Sequence, residues 1–411
     1  MPPYSGSSLS NYTDMDKDLI KDIILVVVSG VIGYLGAWIP IMKKKLLQRE
    51  LKRRRDLLRP EKVYDWLIEY HTRKGTLNDL FRTDAERNVL KIPFLVRRSW
   101  LYFQRLNIYS EEILHYRGKG GPFKIDEKLI KKKTRLNQTI FDEPTIYIEK
   151  VSPAEGPLTL EVKECRYFEM ISSISALEEE TLAAIKRKRY HSLPIRDRYF
   201  ASAEVADKPH SLPFSVGCVV LLAFRTSNGY ELLVQRRSAA TATYGGYKSV
   251  IPSYGLSPLP KGAPYSLSFY NFIKEFAEEI YDFEGLIRHM SSKKGDLLWF
   301  LDAPEVKEVA DSFRNGSSEY IFTGFGIDIL NGTNTLSYLC IINDADLVCR
   351  LKSKMQGSWE SEGDGSDLAL ELIDMNDPKL FNEIQGRKFH FGSAFCILRG
   401  LEYIRFNKVV P

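Results

Sequence analysis

Phe269-Tyr270-Asn271-Phe272-Ile273-Lys274-Glu275-Phe276-Ala277-Glu278-Glu279-Ile280-Tyr281-Asp282 is the stretch on which the reading of this 411-residue chain turns. Phe269, Phe272, Ile273, Phe276, Ala277 and Ile280 recur at the spacing of one buried stripe on an amphipathic helix. Glu275, Glu278, Glu279 and Asp282 fall on another face, within about 100° of arc. Four carboxylates on two turns repel one another, so the arrangement costs stability unless a cation offsets it. Two sources are open. One is a hard divalent cation bound through oxygen, Mg2+ or Mn2+ beside a phosphate. The other is an acidic helix face balanced by Lys274 and solvent.

The flanking sequence supplies a frame for this helix. Residues 216–225 form a nearly continuous apolar strand, Ser227-Asn228-Gly229 a turn, and residues 230–236 a second strand. Tyr247-Lys248-Ser249-Val250-Ile251-Pro252-Ser253-Tyr254-Gly255 is a short strand entering a Pro/Gly loop. Downstream, residues 320–330 and 335–343 read as a hairpin around Asn331-Gly332, and residues 393–406 as a covering helix. Between these, Glu360, Glu362, Asp364, Gly365 and Glu371 mimic the offsets of a calcium loop, but Asp367 stands where that loop wants an apolar residue, so a solvated acidic loop is expected.

Strand, turn, strand ending in Gln235-Arg236-Arg237, a Pro/Gly loop and then a carboxylate helix resembles the Nudix hydrolase superfamily. Lys274-Glu275-Phe276-Ala277-Glu278-Glu279 stands where that family's box reads R-E-U-x-E-E, U being a bulky aliphatic residue. Lys274 replaces the arginine, Ser266 the first glutamate, Pro260 the first glycine and Tyr281 the second. The resemblance implies an α/β fold, with an alpha/beta/alpha sandwich over residues 214–411. It also implies Glu278 and Glu279 as metal ligands and Glu275 as the base or supporting ligand, with Arg236, Arg237 and Lys248 offsetting substrate phosphate. Since a tyrosine does not take positive φ cheaply, the helix is expected to run on to Asp282 or beyond. Asp282 would then share the metal with Glu278.

The rest of the chain is organised around its N-terminus. Residues 23–42 are uncharged, about 30 Å of helix and enough to span a bilayer. Residues 1–22 hold two lysines against four aspartates, unlike a cleaved signal. Residues 43–59 carry nine basic side chains against Glu50 and Asp56. The reading is therefore a short extracytoplasmic segment (1–22), one transmembrane helix (23–42) and a basic juxtamembrane segment (43–59). The bulk of the chain would be cytoplasmic at the cell membrane, with residues 23–59 in contact with lipid. Ser29, Gly33 and Ala37 form a small-residue stripe suited to a homodimer. Residues 60–213 read as a mixed α+β region: largely helical over 61–116, strand-like at 145–151 and 158–162, helical again over 170–189. Its lysine-rich run 128–135 reads as a solvated helix face.

Composition sets the outer limits. Hydrophobic residues are 44% and charged residues 27%, which excludes a disordered or collagen-like chain. Net charge is +5, and the basic run contributes +7 of it, so a broad nucleic-acid-binding face is excluded. Five cysteines without CxxC spacing read as buried thiols rather than a zinc site. The first expectation is Mg2+-dependent, Nudix-type hydrolysis of a phosphoanhydride in a nucleoside-diphosphate-linked compound. The alternative is a catalytically degenerate Nudix-like module that senses such a nucleotide with a membrane partner. A third is an adaptor whose working part is residues 60–210.

Overall fold

The apolar run beginning at Val216 is long because its strand is covered on both faces, the situation that removes polar/apolar alternation. The computed structural model describes residues 60–407 except 86–87, 136–139, 153–156, 189–192, 207–210, 239–245, 284–297 and 357–369, with scattered positions between 21 and 57. The chain divides into two units, residues 1–55 and 56–411.

The described positions of the first unit are helical. Among the described residues no helix is long and apolar enough to cross a membrane, so the transmembrane helix expected over 23–42 is not seen. A span needs about 20 apolar residues in one continuous helix. Of that segment only Trp38, Ile39 and Met42 are described; Ser29, Gly33 and Ala37 lie outside the described residues.

The second unit is a mixed α/β structure. Its strands are β1 (Leu80–Ala85), β2 (Asn88–Leu95), β3 (Gln104–Arg105), β4 (Leu114–Lys119), β5 (Pro144–Val151), β6 (Leu160–Arg166) and β7 (Val216–Thr226). They continue with β8 (Gly229–Arg236), β9 (Lys248–Val250), β10 (Ser253–Gly255), β11 (Ser318–Asp328), β12 (Asn334–Ile342) and β13 (Leu370–Asp374). The helices are α1 (Pro60–Lys74), α2 (Glu127–Arg135), α3 (Tyr167–Arg187), α4 (Pro194–Tyr199) and α5 (Ala203–Ala206). After them come α6 (Leu267–Ile280), α7 (Pro304–Arg314), α8 (Ala345–Lys354), α9 (Pro378–Gln385) and α10 (Phe391–Asn407).

The main sheet runs β1-β2-β11-β12-β7-β8-β13, with β3 on β11, β10 on β7 and β9 on β8; a smaller sheet runs β4-β6-β5. β12 lies parallel to β7 from Asn334 opposite Val216 to Ile342 opposite Phe224. Every residue of β11 and β12 is buried. α10 covers one face. There Phe395 packs edge-on to Phe81 and stacks on Phe94, with ring centroids 4.9 and 5.0 Å apart. Gly400 lets that helix close on β7: a Cβ there would lie 2.6 Å from Leu221 Cδ2. α6 and α7 cover the other face, where Phe272 and Phe313 meet Tyr320.

Several sequence expectations change. Residues 61–116 are helical only through α1 and then form β1 to β4, because Leu90, Ile92 and Phe94 follow the period of a strand. β1 to β3 join the same sheet as β11, so the sheet crosses the boundary expected near residue 213. The lysine-rich run is not a purely solvated face: Lys133 is buried and pairs with Glu178, while Lys132 pairs with Glu179, docking α2 on α3. Cys349 is exposed, unlike the other four cysteines.

Phe395 joins α10 to the β1–β2 hairpin and the sheet centre. Phe395→Ala should cost about 4 kcal/mol, read as a lowered urea midpoint with an unchanged slope. A loss under about 1 kcal/mol would mean that α10 is not part of the cooperative core.

Candidate functional site

The carboxylate helix starts where two side chains satisfy its first N–H groups. Ser266 caps α6, its Oγ accepting from Phe269 N at 3.3 Å. Glu111 Oε2 accepts from Ser268 N at 2.9 Å. Ser266 thus serves as an ordinary N-cap of the helix. The apolar stripe from Phe269 to Ile280 is buried as its spacing requires.

On the polar face the four acidic residues take different roles. Lys274 Nζ donates to Glu275 Oε1 at 3.1 Å and to Glu278 Oε2 at 2.8 Å. All three side chains are mostly buried, at 23, 16 and 12% exposure respectively. Burial opposes the Lys274 ammonium, but the two carboxylates outweigh it and hold its pKa above the usual lysine value. Glu279 turns towards the sheet and is buried. Its Oε2 accepts from Gln235 Nε2 at 3.4 Å and its Oε1 from Ser253 N at 3.3 Å.

Asp282 does not extend the acidic face. α6 ends at Ile280, Tyr281 keeps φ −105°, and Asp282 turns into the left-handed region at φ +58° with its side chain exposed. This corrects the expectation of a helix running on to Asp282. Asp adopts that conformation more readily than Tyr.

These positions do not fit the divalent ion that the resemblance implies. A hard cation takes several oxygens at close range. Here an ammonium sits between Glu275 and Glu278, and Glu279 is directed to Gln235 and the Ser253 amide. Among the described residues no group of three or more His, Cys, Asp or Glu side chains is arranged to hold a metal.

The expected phosphate cations share the β8–β9 ladder, Arg236 standing opposite Lys248, but differ in burial and in their partners. Arg236 is exposed at the end of β8, where the alternation of a strand turns its side chain to the face opposite Gln235. Lys248 is engaged by carboxylates, its Nζ 2.7 Å from both Glu371 and Glu383. Glu371, expected in a calcium-like loop, is an ion-pair partner of Lys248 and Lys379; residues 360–369 lie outside the described residues. Arg237 is buried beside His390.

Sequence reasoning missed a second buried polar cluster. His390 Nε2 lies 2.7 Å from Ser393 Oγ, which accepts from Val250 N at 2.9 Å. Ser249 Oγ lies 3.3 Å from the same ring nitrogen. His390 and Ser393 are three residues apart and Ser249 lies far upstream, a pattern with no spacing signal of its own; only the start of α10 against β9 unites them. Gln235 and Ser253 were also missed as site residues, because their roles come from strand ends meeting α6.

Burial, aided by Arg237, lowers the His390 pKa to about 3 from its ordinary 6.5. The unfolded chain therefore binds a proton that the folded one refuses between those values. The stability is fully present above pH 6.5 and is lost as pH falls towards 3. Between pH 7 and pH 5 the parent should lose about 2 kcal/mol more than His390→Asn, measured by urea titration. Equal losses would mean that His390 is charged in the folded protein.

Compared with known proteins, the chain matches no family model and no curated protein.

Proposed function

We propose that the chain is a Nudix-like binding module that holds a nucleoside-diphosphate-linked compound without cleaving its phosphoanhydride. The observation that carries this reading is the Lys274 ammonium between Glu275 and Glu278. Hydrolysis of the kind the resemblance implies needs a metal that binds the diphosphate and lowers the pKa of water. A tethered ammonium neutralises the two carboxylates but offers no open coordination position to water. The helix therefore keeps its acidic face without the metal chemistry. In this reading Arg236, exposed at the end of β8, reaches ligand phosphate as one of the cations the resemblance implies. Lys248 contributes less, since Glu371 and Glu383 hold it.

The hydrolytic reading keeps one observation in its favour: Glu275, Glu278 and Glu279 all lie on one helix beside Ser253 at the entry to the Pro/Gly loop. It requires Lys274 to leave both partners.

Calorimetry and product analysis on the full-length protein separate the two. A panel of nucleoside-diphosphate-linked compounds should include a binder whose affinity is the same in EDTA and in Mg2+, with no product formed. Arg236→Ala should weaken that binding about tenfold, the value of one charge-assisted phosphate contact. Mg2+-dependent hydrolysis abolished by Glu278→Gln would replace this reading with the enzymatic one. No binding across the panel would remove both.

A further inference from the structure

Beneath α6, on the sheet face opposite α10, lies a polar cluster that the proposed function does not use. Tyr254 of β10 stands directly across from Cys218 of β7. Tyr320 of β11 and Tyr338 of β12 stack with ring centroids 4.9 Å apart and planes 13° apart. Phe272 of α6 stacks on Tyr320 at 5.1 Å. Tyr254, Tyr320 and Tyr338 are 8, 2 and 0% exposed, and Cys218 is 1% exposed. The Tyr254 hydroxyl lies near the Tyr320 hydroxyl and the Cys218 thiol, yet among the described residues none of the three phenols has a partner of full hydrogen-bond geometry. Burial pushes the Tyr254, Tyr320 and Tyr338 hydroxyls and the Cys218 thiol well above their ordinary pKa values, so all stay neutral.

Leaving a buried hydroxyl unsatisfied costs about 1–3 kcal/mol. Three in one neighbourhood would consume much of the roughly 5–15 kcal/mol that holds a domain folded. Phenylalanine would pack equally well, as Phe269 and Phe272 do alongside, so the hydroxyls need a polar occupant. Its chemistry follows from its surroundings. Phenols both donate and accept. The nearest carboxylates are already engaged: Glu111 by the amides of Ile113, Leu114 and Ser268, and Glu275 by Lys274. The occupant is therefore small and uncharged.

The geometry points to an interior water-binding site between α6 and the sheet, formed by the hydroxyls of Tyr254, Tyr320 and Tyr338 with the thiol of Cys218. The carboxylate helix then rests on a hydrated seat, and its position over the sheet depends on shared water as well as on the Phe269–Phe272 contacts.

Conservative variants of the full-length protein test this, since Tyr→Phe keeps the packing. Tyr254→Phe and Tyr338→Phe should each raise the unfolding equilibrium constant about fivefold, because each removes a bond to bound water. The double variant should cost less than the product of the two factors, since both hydroxyls hold the same water. Ordered density bridging the hydroxyls in a high-resolution crystal structure is the direct expectation. Variants as stable as the parent or more so, strictly multiplicative effects, or a high-resolution map without bridging density would each overturn the site.

Discussion

The parallel pairing of β12 with β7 governs where everything else in the second unit goes. Adjacent parallel strands cannot be joined by a tight turn, so the chain between them must cross over a face of the sheet. α6 and α7 lie in that crossover, and both pack on one face. β11 then returns as a hairpin partner of β12 and receives the β2 edge on its far side. With one face taken by the crossover helices, α10 closes the other. β7, β11 and β12 are thereby sealed on both sides, which is why their sequences are apolar almost without interruption.

The acidic face of α6 shows how one charge pattern serves two chemistries. Carboxylates at this spacing need a counter-charge, and the sequence offers a metal or Lys274 with equal logic. Side-chain reach and burial decide between them. Lys274 is one residue from Glu275 and one turn from Glu278, and partial burial strengthens the attraction by lowering the local dielectric. Glu279 escapes this arrangement only because its position on the helix points it at the ends of β8 and β10. Two neighbouring glutamates of one motif are thus separated by the curvature of the helix surface.

What the sequence disclosed follows the strength of its local signals. The strands expected over 216–225 and 230–236 coincide with β7 and β8; the hairpin around Asn331-Gly332 is present as β11–β12, but its loop spans 329–333 and only Gly332 takes positive φ, +76°, so the tight Asn-Gly turn is not formed. The apolar stripe of α6 was equally plain. Long-range features were not. β1, β2 and β3 reach the main sheet from more than a hundred residues upstream, and Val63, Trp66 and Tyr70 set a helical period that masked the change to strand after Gly75. Within the site, Lys248 looked like a phosphate ligand because nothing nearby in sequence showed that Glu371 and Glu383 would surround it.

The end of α6 links two of the motif's departures into one structural event. A glycine at position 281 would let the chain turn sharply at that residue. Tyr281 instead keeps an ordinary φ and packs its ring edge-on to Phe276, with centroids 5.6 Å apart. The turn is displaced by one residue, onto Asp282 at φ +58°, and Phe283 N then closes it by donating to Ala277 O at 3.1 Å. A residue in that conformation directs its side chain off the helix surface, so the carboxylate of Asp282 leaves the face that Glu278 occupies. Tyr281 and the departure of Asp282 from the acidic face are thus parts of the same turn. The polar face that remains has Glu275 and Glu278 in balance with Lys274, one ammonium between two carboxylates.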